Sequence, residues 1–207
     1  MTDELIRAVA LADTPQKMVT AVKNLAAAQD VAAISTLIAV FGYNNPTAAT
    51  VAVETLTQMG EIAVPQLLSQ IDDYNYGARA YSIRTLAAIA DPRALDVLIT
   101  AAATDFAPSV RRAAAKGLGN LHWHKLKSPH RETGLNKALE TLLLISQDSE
   151  WSIRYAAVVG LQALAQIPDL QHPIRTRLNQ VLATDEEKAI RARVRLAITD
   201  GFLAHTS

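Results

Sequence analysis

The sequence contains no cysteine, which removes a disulfide framework, a thiolate zinc site and a thiol nucleophile together. Aromatic residues are scarce, at 5% of positions. Neither sign of charge is in excess: twenty basic side chains balance twenty acidic ones, whereas dedicated polyanion binders carry net positive charge. No apolar run approaches the roughly 18 residues that cross a bilayer, so membrane insertion is not expected. The N-terminus, MTDELIRAVALADTPQ, has acids at Asp3 and Glu4 where a secretory signal would carry cations, and a cytoplasmic location is expected. Alternating β-branched runs are missing, which argues against strands. Catalytic signatures are missing too: there is no Gly-x-Ser-x-Gly elbow, Walker loop, dinucleotide fingerprint or His-Glu-x-x-His helix.

What is present is an internal repeat. The segments DDYNYGARAYSIRTL, TDFAPSVRRAAAKGL, QDSEWSIRYAAVVGL and TDEEKAIRARVRLAI share one frame: an Asp, an Arg six residues later and an aliphatic residue seven beyond that. The Asp column is 73, 105, 148 and 185, and the Arg column is 79, 111, 154 and 191. Between them the apolar positions keep helical spacing, as in Val110, Ala114 and Leu118. Each segment follows a second amphipathic run, such as VPQLLSQI or ALDVLITAAA, and two weaker copies without the Arg come earlier. Repeats ending near 25, 56, 86, 118, 161 and 198 predict an all-α chain. The expected architecture is an α-solenoid of about six HEAT-like helical hairpins, forming one domain over 1–207. Each Asp is expected to cap or charge the helix that follows and to meet the Arg of an adjacent repeat, giving a ladder of charge-assisted hydrogen bonds. That ladder is expected to fade toward the N-terminus.

The longest interval holds an insertion at about 120–134, NLHWHKLKSPHRETGLN, with three of the five histidines. His122 and His124 are two apart, which points them to different helix faces, and no carboxylate or thiol stands at ligand spacing, so no metal is expected. A basic, exposed loop is the favoured reading, with Trp123 as a candidate partner-interface anchor. The stretch from Pro108 to Lys137 is locally basic, but the neutral total argues against nucleic acid as a partner.

Three of the five tyrosines, Tyr74, Tyr76 and Tyr81, gather beside Arg79 and Arg84. Three residues on from each ladder Asp stand Tyr76, Pro108, Trp151 and Lys188, where the second helix of each pair should begin. Tyr76 and Trp151 thus share one structural position, and Tyr155 follows Trp151 by one helical turn. With Arg111 and Arg112 these residues read as a surface for a planar molecule with acidic substituents, because aromatics stack and arginine pairs bidentately with carboxylates. The competing reading is that the aromatics close turns and Tyr81 fills space beside Ser82.

The motifs VRRAAAKGL and IRYAAVVGL resemble the second helix of HEAT-like repeats. The opening MTDELIRAVALADTP and the segment IDDYNYGARAYSIRTLAAIADPRALDVL resemble the F subunits of the E/F-type phycobilin lyases of cyanobacteria, over the whole chain. The resemblance implies a heterodimer with an E-type subunit that attaches phycocyanobilin to a cysteine of the phycocyanin alpha subunit, or reverses or transfers that attachment. Phycocyanobilin would then be a substrate, with no cofactor. In isomerising relatives the YNYGAR segment carries a histidine and cysteine pair; this chain has neither there, so it resembles the attaching type. On this reading Asp72, which has no ladder role, is the candidate catalytic acid. Tyr74, Tyr76, Arg79, Tyr81, Arg84, Arg111, Arg112, Trp151 and Tyr155 are the candidate bilin contacts. The alternative is a non-catalytic HEAT-repeat scaffold, or a chaperone-like partner in phycobilisome assembly.

Overall fold

The computed structural model describes residues 1–71 and 74–199. The described residues form twelve α-helices in six consecutive pairs, with no strand among them. The first helices of the pairs are α1 (Thr2–Ala10), α3 (Ile34–Ala39), α5 (Val64–Ser69), α7 (Leu95–Thr104), α9 (His130–Ile145) and α11 (Gln171–Thr184). The second helices are α2 (Pro15–Ala27), α4 (Pro46–Met59), α6 (Tyr76–Ile89), α8 (Pro108–Asn120), α10 (Trp151–Leu164) and α12 (Lys188–Thr199). Four of these begin at the residue that the repeat register assigns. The chain divides into two compact units, Met1–Ala94 and Leu95–Ser207.

Each second helix is held by an apolar stripe buried against its neighbours. Leu25, Leu56, Leu86, Leu118 and Leu161, the repeat-end leucines, are all fully buried, and only Ile198 in the last pair is half-exposed. Alanine fills the remaining contacts, as at Ala48, Ala49 and Ala52 on α4 or Ala114 and Ala115 on α8. Small side chains let helices approach closely, and in the second unit this reaches its limit where α8 crosses α10. A Cβ on Gly119 would collide with the Gly160 backbone, and one on Gly160 would stand 2.5 Å from the Ala115 carbonyl oxygen and 2.8 Å from Leu142 Cδ2. Neither backbone can yield without separating the helices.

The turns inside the pairs are closed in two ways. In the first unit a short polar residue caps the second helix: Thr14 accepts from Lys17 N, Asn45 from Ala48 N and Asn75 from Ala78 N. In the second unit the ladder Asp acts instead, but not as the helix cap that the sequence suggested. Asp105, Asp148 and Asp185 each accept from the amide two residues on, at Ala107, Glu150 and Glu187, closing a turn just ahead of the helix. The side chain stands two residues ahead of the capping position, too early to reach the amides of the first helical turn.

The expected ladder is present within the second unit. Arg111 Nη2 donates to Asp148 at 2.6 Å, and Arg154 spans both Asp185 oxygens at 2.8 and 3.0 Å. Each Arg also binds carbonyls at its own turn, Arg111 to Ala102 O and Arg154 to Asp148 O and Ser149 O. Toward the N-terminus the ladder changes chemistry, with Asn45 Nδ2 donating to Pro15 O in the preceding repeat. Asp73 lies outside the described residues.

Replacing Gly160 by Ala should destabilise the fold by about 3 kcal/mol, through forced separation of α8 and α10, and thermal denaturation against the parent chain would register it. The Arg154 guanidinium holds the Asp185 carboxyl below the ordinary carboxylate range. A lowered folded-state pKa stabilises the fold above the unfolded value, and this is lost as pH falls through the folded one. Asp185→Asn should therefore cost stability at neutral pH and flatten the decline of melting temperature on the acid side.

Candidate functional site

The sequence-predicted residues fall in both units. In the first unit, Tyr76 is the first residue of α6 and is 49% exposed, while Tyr74 projects fully into solvent. The amide of Asn75 lies 3.4 Å from where a Cβ on Gly42 would stand, so this turn adjoins the turn of the preceding pair. That neighbouring turn presents Tyr43, 45% exposed, which sequence reasoning did not single out. Arg84 is exposed one helical turn beyond Ala80 and makes no ion pair among the described residues.

Tyr81 and Arg79 differ from the surface expectation. Tyr81 is half-buried, with its ring stacked on Phe41 at a centroid distance of 5.5 Å, which is the space-filling role. Arg79 is buried at 8% exposure, so it is not a surface cation available to a propionate. Asp72, the candidate acid, lies outside the described residues.

In the second unit Trp151 begins α10 and is 48% exposed, with Glu150 capping the helix by accepting from Ser152 N. Tyr155 is half-buried on the next turn. Arg112 donates to Ser152 Oγ at 3.1 Å, a neutral partner that leaves its charge uncompensated. Arg111 is committed to Asp148 with both side chains largely shielded, and it is therefore a ladder residue rather than an open cation. Phe106, one residue past the ladder Asp105, is exposed. Tyr74 follows Asp73 by the same single step, so the repeat register itself held the signal for Phe106.

The inserted segment overturns one expectation. Trp123 is buried, its ring lying over Gly134 of α9, where an added Cβ would meet it at 3.2 Å. It plugs the core of its own unit and is not an exposed anchor. Its basic neighbours do face solvent: His124, Lys125 and Lys127 are exposed. The His122 and His124 rings are 5.6 Å apart, and among the described residues no group of three or more metal-ligating side chains gathers. No helix among the described residues is long and apolar enough to cross a membrane.

Stacked helix pairs, turns sealed by Asp and Arg, and aromatics at the helix starts make this a HEAT-repeat protein, and residues 64–162 match the HEAT-repeat family model. Designed armadillo repeat proteins share the fold alone, at 14% identity and a TM-score of 0.58 over 96% of this chain and 98% of theirs.

Within that class the chain belongs to the phycocyanobilin lyase beta-subunit family. It is 77% identical to the phycocyanobilin lyase subunit beta of Nostoc sp., over 95% of this chain and 98% of that protein. It is 45% identical to the phycocyanin alpha phycocyanobilin lyase CpcF of Synechocystis sp., over 93% and 90%. A chain in the solved complex of CpcE and CpcF of phycocyanin lyase from Nostoc sp. matches with 78% identity and a TM-score of 0.80, over 82% of this chain and all of that one.

The two kinds of aromatic separate cleanly by stability. Trp123→Ala should cost about 4 kcal/mol by emptying its site over Gly134. Tyr74→Ala should change stability by no more than about 0.5 kcal/mol, as a solvent-exposed substitution. Parallel urea denaturation of the two variants checks both.

Proposed function

We propose that this chain is the F-type, or beta, subunit of a heterodimeric bilin lyase, which with an E-type subunit attaches phycocyanobilin through a thioether to a cysteine of the phycocyanin alpha subunit. The observation that carries the reading is the end-to-end match to phycocyanobilin lyase beta subunits, together with the match to a chain solved in the CpcE and CpcF complex. The chemistry suits a chain without cysteine. The acceptor thiol adds across the exocyclic double bond of ring A, so one carbon–sulfur bond forms and the thiol proton is balanced by protonation of the conjugated system, with no oxidant or reductant. A lyase for this step must supply an acid, hold the chromophore and exclude other thiols. Having no thiol of its own removes a competing nucleophile. The same path run backward detaches the bilin.

Phycocyanobilin is the substrate in this reading, no resident cofactor is invoked, and the reaction takes place in the cytoplasm. Tyr74 and Tyr76 with Arg84 in the first unit, and separately Trp151 and Tyr155 with Arg112 in the second, are the two candidate surfaces we assign to the bilin, each pairing rings for stacking with a cation for a propionate. Both cations lack acidic partners among the described residues, whereas Arg79 is buried and Arg111 is ion-paired. Asp72 remains the assigned proton source.

Co-expression of this chain with an E-type subunit, phycocyanobilin and apo-phycocyanin alpha should give a covalent fluorescent product, and omitting this chain should abolish it. Tyr76→Ala should lower the yield about tenfold while the heterodimer still forms. Loss of the heterodimer with bilin affinity intact would instead make the residue a scaffold contact.

A further inference from the structure

The charges of the second unit are segregated by helix layer. Helices α8, α10 and α12 contain several Arg and Lys and not one Asp or Glu. Among the described residues, the acids of this unit lie on the first helices of the pairs and in the turns, as at Asp96, Glu140, Asp148 and Asp185. Helix α10 packs between α8 and α12, so the three form one contiguous layer. Arg111 and Arg154 are neutralised by the ladder carboxylates at one edge of that layer. Further along the helices the cations meet only neutral groups. Arg112 donates to Ser152 Oγ, Arg193 donates to Gln162 Oε1, and Nη1 of Arg193 finds no acceptor among the described residues. Lys116, one turn beyond Arg112 on α8, is exposed and makes no ion pair among the described residues. Interleaved with these are the half-buried Tyr155 and Val159 and the exposed Leu196.

We infer that this acid-free layer, Arg112, Lys116 and Arg193 around Tyr155, is the docking surface for an acidic, partly apolar segment of the acceptor protein. The inference rests on the lyase reading for the identity of the acceptor. Uncompensated positive charge beside modest apolar area gives a fast, salt-sensitive encounter rather than a permanent interface. That is what a partner released after every turnover needs, whereas a resident subunit is held by larger apolar area. Nucleic acid fits less well, because three cations separated by apolar side chains neutralise few phosphates.

The test uses the heterodimer and apo-phycocyanin alpha without bilin, titrated calorimetrically at low and high salt. Lys116→Glu should weaken acceptor binding about tenfold at low salt, the difference should shrink at high salt, and Lys116→Arg should restore the parent affinity. Lys127→Glu, on the inserted segment outside the layer, should leave it unchanged. Equal weakening by Lys127→Glu, or none by Lys116→Glu, would overturn the surface, as would a DNA duplex that binds as tightly as the acceptor and loses the same factor with Lys116→Glu. Acceptor binding that follows these expectations without thioether formation on adding bilin would sink the lyase reading and leave the surface standing. Thioether formation with acceptor affinity indifferent to Lys116 would do the reverse.

Discussion

The second unit depends on one side chain used twice. An arginine six residues past an aspartate reaches back to the carbonyls of its own turn and outward to the carboxylate of the next repeat, as Arg154 does with Asp148 O, Ser149 O and Asp185. The planar guanidinium allows this because its donors point in fixed, divergent directions, which an ammonium could not match. Local turn geometry and repeat stacking are thereby set by the same group. The acid complements it: one Asp185 oxygen closes its own turn through Glu187 N, and both receive the arginine of the previous repeat. Such shielded pairs are weak sources of net stability but strong determinants of register, because a shifted repeat would leave a charge uncompensated.

Placing the carboxylates in the turns has a consequence for the surface. With Asp105, Asp148 and Asp185 standing at turns, the helices of the second unit that carry the arginines are left without acids, and any cation beyond the first helical turn must find a neutral partner or solvent. Arg112 and Arg193 are in that position. In the first unit α2 and α6 likewise carry cations and no acid of their own, and Arg84 makes no ion pair among the described residues. Its turns are sealed by Thr14, Asn45 and Asn75, and the inter-repeat bond from Asn45 to Pro15 is neutral. Cation-bearing second helices without acids thus occur under both kinds of turn, although the whole chain has no net charge.

Much of the fold was legible because repetition multiplies a weak signal. A lone Asp followed by an Arg means little, but four in register located the starts of α6, α8, α10 and α12, and two rungs formed as expected within the second unit. The same register marked the turn that exposes Tyr74 and Phe106. Legibility ended where repetition did. The insertion occurs once, so nothing in its composition distinguished a solvent-facing Trp123 from one folded back over Gly134; that depends on a glycine eleven residues away leaving room for an indole. Arg79 and Tyr81 were left open between a structural and a surface role for a related reason. Periodicity identifies an apolar stripe, but it does not show that the stripe is wide enough to bury a guanidinium or that Phe41 offers a ring to stack on.

The division between buried and exposed aromatics bears directly on the chemistry. The chain's few large rings could have been used to fill space, yet Tyr74 and Phe106 are largely exposed and Tyr43, Tyr76 and Trp151 about half exposed, while alanine and leucine build the core. A core of small residues suffices for a repeat protein because each helix pair need only cover its neighbours. That frees the rings for the helix starts, where the chain turns and a flat face can be presented without opening the apolar stripe. Under the function proposed above, a subunit that brings no thiol to a thioether-forming reaction contributes through surfaces: rings to order a flexible tetrapyrrole, and cations to hold its carboxylates and to draw in an acidic acceptor. In that proposal the first residue of the second helix serves stacking, and Arg112 and Tyr155, one turn further in, adjoin both the chromophore and the acceptor surface.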